Sequence, residues 1–187
     1  MYIVGRSPAT LIYPRAVCVE AVWEQVAKHF ETLPGQARVA QLLIRHGLRV
    51  ENGIRCGPIE VPDTAIGRAV GVDRRVVTAT RRTIERNKSL KRFFGNLSPI
   101  CSLKDVAADL GWGVIEIIPR QARSVGILAG VTSIIAKANI SIRQVVVADD
   151  PEYAPGPRAY IVTEIPVPAR SMEKIRRVPG VSGVVVH

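Results

Sequence analysis

The densest run of residues able to do chemistry is VPDTAIGRAVGVDRRVVTATRRTIERN, residues 61–87, which carries six arginines. A guanidinium is permanently charged and its planar fork matches phosphate oxygens, so arginines repeated along one exposed helix face suit a nucleic-acid backbone. On that basis Arg75 and Thr78 are candidates for base edges, and Arg74, Arg81, Arg82 and Arg86 for phosphates. The acidic residues make a weaker case for chemistry. Asp149, Asp150 and Glu152 cluster in DDPEYAPGP, a loop with no paired general acid, where solvation or a contact between subunits to Arg158 or Arg143 is expected rather than catalysis. Cys18, Cys56 and Cys101 are isolated, and His29, His46 and His187 stand at no ligand spacing from them, so reduced thiols without a metal are expected. No P-loop, dinucleotide fingerprint or nucleophile triad occurs. The chain is expected not to be an enzyme and to need no cofactor.

The elements that must position those arginines follow from spacing. Asp63 or Thr64 can cap a short helix with Ile66 and Val70 facing inward, Gly71 makes a turn, and Val72 plugs it. Asp73 then caps a second helix whose Val76, Val77, Thr80 and Ile84 share one face. That is the pattern of a helix-turn-helix, and the small Gly67 permits a close crossing of the two helices. Arg74, Thr78, Arg81, Arg82 and Glu85 fall on the opposite face. Upstream, Val22, Trp23, Val26, Ala27 and Phe30 give an amphipathic helix over 19–33. Pro34 opens another with Val39, Leu42, Leu43 and His46 on its inner stripe, stopped by Gly47. Asn52-Gly53 between Val50 and Ile54 predicts a hairpin, which could serve as a basic wing or as a solvated turn. Leu90, Phe93 and Phe94 form a short helix ended by Gly95, beside Lys88, Lys91 and Arg92. Ser102 with Asp105 reads as a capping box for a connector helix bearing Leu103, Val106, Ala107 and Leu110.

Beyond residue 112 the pattern changes. Residues 113–118 are a nearly continuous apolar strand, followed by a helix with Leu128, Val131, Ile134, Ile135 and Ala138 in one stripe and Asn139 at its end. Strands at 140–148 and 160–165 flank the DDPEYAPGP loop. A short helix capped by Ser171 then ends at Pro179-Gly180 before a final strand at 181–186. The order βαββαβ is the ferredoxin-like plan. The expected fold class is α+β: a mainly helical domain over 19–112 and a ferredoxin-like domain over 113–187, with residues 1–18 an irregular arm.

The string Ser124-Val125-Gly126-Ile127-Leu128, followed by an apolar helix and Asn139-Ile140-Ser141-Ile142, resembles an ACT domain, the amino-acid-sensing module of many metabolic enzymes and regulators. The resemblance implies a dimer with an amino acid or similar small anion bound between subunits. Arg123, Ser124, Val125, Gly126, Ile127 and Leu128 would contact it on one side, and Asn139, Ile140 and Ser141 on the other. Serine-sensing members carry Asn where this chain has Arg123 and Ser141, so the ligand need not be serine. Across about 20–187, the strings GVDRRVVTAT, SLKDVA, GWGVIEIIP, SIRQVVV, DDPE and IVTEIPVP together resemble archaeal predicted regulators of amino-acid metabolism. Those proteins join an N-terminal helix-turn-helix region to a C-terminal ACT domain.

Composition agrees with such a partner. The formal net charge is +10, and residues 1–112 hold 17 Lys and Arg against 10 Asp and Glu, whereas residues 113–187 hold 9 against 6. No long apolar run or export signal is read, so no membrane partner and a cytoplasmic location are expected. The expected function is a transcriptional regulator, binding DNA through the helix-turn-helix and an amino acid through the ACT domain. The alternative is a regulatory subunit that dimerises through the ACT domain and docks its basic helix on RNA or a partner enzyme.

Overall fold

A computed structural model describes residues 23, 25–121, 124–148 and 157–187. The arm at 1–18, Val22, Arg123, Asp149, Asp150 and Glu152 lie outside the described residues. The architecture is α+β, with two antiparallel sheets.

In the N-terminal half, helix geometry at Trp23 and 25–27 gives way to turns through residue 32, so the helix ends before the expected residue 33, while Val26 and Phe30 are buried as the stripe predicts. Helix α1 (Pro34–Arg45) has Pro in its first turn and buries Val39, Ala40 and Leu43. His46 corrects its expected inner stripe: it is the exposed C-cap, three positions past Leu43, the last buried residue of the helix. The predicted hairpin forms from β1 (Arg49–Val50) and β2 (Ile54–Cys56), with Val50 opposite Ile54 across Glu51, Asn52 and Gly53. It gains a third strand, β3 (Ile59–Val61), paired to β2 through Gly57-Pro58. Glycine in the first position of such a two-residue loop supplies the positive φ that it needs.

Helix α2 (Asp63–Val70) ends at Gly71 in the left-handed region, and α3 (Arg74–Arg86) starts from Asp73, whose carboxylate accepts from Arg75 N at 2.7 Å. The cap expected at Asp63 or Thr64 is instead Pro62, with no side-chain cap hydrogen bond. The crossing of the two helices depends on Gly67, because a Cβ there would lie 2.8 Å from the Val72 carbonyl oxygen. Val77, Thr80 and Ile84 are buried, and the Thr80 hydroxyl is satisfied by the Val76 carbonyl at 2.8 Å. Asn87 caps α4 (Lys88–Gly95), accepting from Ser89 N and Leu90 N. Among the described residues, every buried member of this core lies between Val26 and Phe94.

The expected connector helix does not form. Residues 101–107 are turns and irregular backbone, followed by only a 3-10 turn at Ala108–Leu110. Val106 and Leu110 remain 45% and 54% exposed. Asp105 pairs with its neighbour Lys104 at 2.6 Å rather than closing a capping box. Ala107 alone of this stretch is fully buried, packing with Val114 and Val162.

The C-terminal half is β4 (Gly113–Pro119), α5 (Ile127–Lys137), β5 (Ile142–Ala148), β6 (Arg158–Thr163), α6 (Ala169–Arg176) and β7 (Val181–Val186). The sheet runs β5-β6-β4-β7, so the first strand of the half lies inside and β5 and β7 form the edges. Ile115, Ile117, Ala159 and Ile161 pack with Ile127, Val131, Ile135 and Ile175 of the helices. β5 starts two residues later than the expected 140–148, and β6 lies two residues earlier than the expected 160–165. Ser171 is not the cap of α6: Pro168 holds that position and Ser171 is buried in the first turn.

Candidate functional site

Two surfaces gather the candidate residues. On α3, Arg74, Arg75, Arg82 and Arg86 are exposed, with no ion pair among the described residues. Positions 75, 82 and 86 are separated by seven and four, so they form one row along the helix. Thr78 and Arg81 are differently employed. The Thr78 hydroxyl donates to Asp63 Oδ2 at 2.7 Å, and Arg81 Nε and Nη2 donate to the same oxygen at 3.3 and 3.1 Å. Arg81 Nε is also 3.1 Å from Asp63 Oδ1, with the two side chains only 25% and 20% exposed. Asp63 therefore ties the start of α2 to the middle of α3 and divides the expected contact set into four open arginines and two tethered residues. Adjacent α4 adds exposed Lys88, Lys91 and Arg92, and Lys88 and Arg92 line a shallow concavity with Phe93 and Asn96.

The second surface is a cleft of about 220 Å³ between the start of α5 and the sheet, lined by Ser124, Gly126, Ile127 and Leu128 with Val147 and Arg158. Gly126 sits at the N-cap with φ +88, a conformation open to glycine at little cost, and no side chain caps the helix. The backbone N–H groups of this first turn are thus available to an anion. Val125 points elsewhere, at 96% exposure. Arg158 is not an open cation: its Nε pairs with Glu116 Oε1 at 2.9 Å, and both side chains are mostly buried. Glu116, the one break in an apolar strand, is explained by that pair and by His187 Nε2 at 3.0 Å. Arg143 likewise pairs with Glu164, at 2.9 Å.

Asn139, Ile140 and Ser141 lie at the other end of α5, about 16 Å away for 11 residues of helix. One chain does not bring the two groups together. Asn139 adopts φ +57 as the helix ends, and Ile140 is buried in the core, so its side chain is unavailable to a ligand.

Among the described residues no group of three or more His, Cys, Asp or Glu could hold a metal ion, and no helix is long and apolar enough to cross a membrane. Sequence reasoning missed the tether role of Asp63, whose partners lie 15 and 18 residues away. It also missed Asn87, although an Asn directly before a basic amphipathic turn is a cap signal.

No family model and no curated protein matches the chain. Among solved structures, one titled "Crystal structure of PH0061" is similar at 12% identity, covering 81% of this chain and 88% of that one, with a TM-score of 0.28. A likeness that distant carries no argument about fold or function.

Proposed function

We propose that the chain is a ligand-responsive transcriptional regulator. The α2–α3 corner acts as a helix-turn-helix on DNA, and the C-terminal half acts as an ACT module. That module holds an amino acid or similar small anion between two copies. The observation that carries the reading is the open row of Arg75, Arg82 and Arg86, with Arg74 beside it, on a helix whose other face is fixed in the core. The separation of the two candidate ligand groups to opposite ends of α5 supports a site shared by two subunits, since each end would need the other end of a partner. Regulation is then a coupling free energy of typically about 1–3 kcal/mol, or roughly 5–150-fold in DNA affinity.

Four phosphate-neutralising arginines give an expected slope of log affinity against log salt of about −3.6 per monomer. Replacing Arg74, Arg75, Arg82 and Arg86 together by Ala is expected to abolish retention of duplex DNA while leaving the thermal midpoint near that of the parent chain. Duplex retention by that variant at the parent's affinity and slope would refute the reading. The Asp63 tether favours a second reading. With Thr78 withdrawn from base edges, the remaining contacts are all cationic, as in docking to RNA or to an acidic partner surface. Competition between duplex DNA and structured RNA of equal charge separates the two.

A further inference from the structure

Gln144 uses both ends of its side-chain amide on the backbone of the connector. Its Nε2 donates to the Cys101 carbonyl at 2.7 Å, and its Oε1 accepts from Leu103 N at 2.8 Å. The amide thereby replaces a neighbouring strand for a segment that has none. The preceding residue grips the far end of the same connector: the Arg143 guanidinium lies 5.6 Å from the centroid of the Trp112 ring. In a regular strand residues 143 and 144 would point to opposite faces. The register of β5 against β6 shifts between Ile142 and Gln144, and a bulge of this kind re-aims side chains. Between the two grips, Leu103, Ala107 and Trp112 pack on Val114 and Val162 of the sheet.

The bulge begins directly after residues 139–141. Glu164 joins them to it: its backbone N–H donates to the Ser141 carbonyl at 2.9 Å, while its carboxylate holds Arg143 at 2.9 Å. At the other end, the connector follows Leu97, which packs against the core carrying α3. We propose that the bulged start of β5, with Gln144 and Arg143 as positioning residues, relays occupancy beside Asn139 and Ser141 to the connector and so to the arginine face. This inference rests on the function proposed above and names how that function is regulated.

The test uses the full chain with a pool of the twenty amino acids at millimolar concentration and a random-sequence duplex as probes. Trp23→Phe leaves Trp112 as the only tryptophan, so its emission reports the connector. In this background the pool is expected to raise the thermal midpoint, shift Trp112 emission and change duplex affinity by a factor of about 5–150. Gln144→Met keeps the side-chain length and removes both hydrogen bonds. It is expected to retain the midpoint shift and duplex binding while the affinity factor falls to about one. Gln144→Glu, which keeps the acceptor for Leu103 N but not the donor to Cys101, is expected to give a smaller factor than the parent and serves if the Met variant fails to fold. An unchanged factor in a folded Gln144 variant overturns the relay and leaves the functional reading standing. No midpoint shift, or no duplex retention, in the parent overturns the functional reading and the relay with it.

Discussion

Asp63 illustrates how one carboxylate can set both stability and binding. Its oxygens hold Thr78 and Arg81, so Asp63→Asn removes the charge that restrains Arg81 while leaving an acceptor for the Thr78 hydroxyl. The expected outcome is a loss of about 1–3 kcal/mol in urea unfolding. In return, the salt dependence of duplex binding should steepen by about 0.9 in logarithmic slope as Arg81 joins the phosphate contacts. A slope unchanged from the parent would place Arg81 away from nucleic acid. Gly67 makes a second expectation at this scale. A Cβ there meets a backbone oxygen at 2.8 Å, whereas one at Gly35 meets a Val76 methyl at 3.2 Å, which can give way. Gly67→Ala is expected to cost about 1–3 kcal/mol in urea unfolding, and Gly35→Ala distinctly less. Gly67 was legible in the sequence because its spacing from the turn at Gly71 is local. The Asp63 tether was not, because a carboxylate in a first helical turn reads as a cap until the crossing angle brings a second helix beside it.

Among the elements, those with a long apolar stripe matched the sequence closely: α1, α3, α5 and the buried β4 all stand where periodicity placed them. The connector failed for a physical reason. Its capping-box signal is intact, but of the expected apolar stripe only Ala107 is fully buried and Leu103 partly so, while Val106 and Leu110 face solvent, and a short helix with so little tertiary packing is marginal in water. Gln144 meanwhile holds the backbone at 101 and 103 to the sheet. A contact of that kind, from some forty residues downstream, leaves no periodic trace. Asn87 works in the opposite direction by fixing where α4 starts, and Asn87→Ala is expected to cost about 1 kcal/mol in urea unfolding. The cationic surface of α4 should then loosen relative to α3 without unfolding the core.

At the scale of the whole molecule, the proposed shared site requires two copies, and two copies carry two arginine rows. A duplex bearing two inverted half-sites about 34–36 Å apart, or a multiple of that, is expected to be retained with a salt slope near −7, about double that of a single half-site. Equal slopes on the two duplexes would indicate that one subunit binds at a time. The order of the C-terminal sheet has a separate consequence, for how the chain is made. Strand β4 lies between β6 and β7, and both of its neighbours leave the ribosome after it. The N-terminal core, in contrast, contains no buried residue beyond Phe94 among the described residues and can close while the rest is still being synthesised. The arginine face would therefore mature first, and the sheet would mature later and more slowly, because its pairings join segments distant along the chain. A nascent chain paused between the two events would expose a basic, folded corner attached to an apolar strand still waiting for its partners.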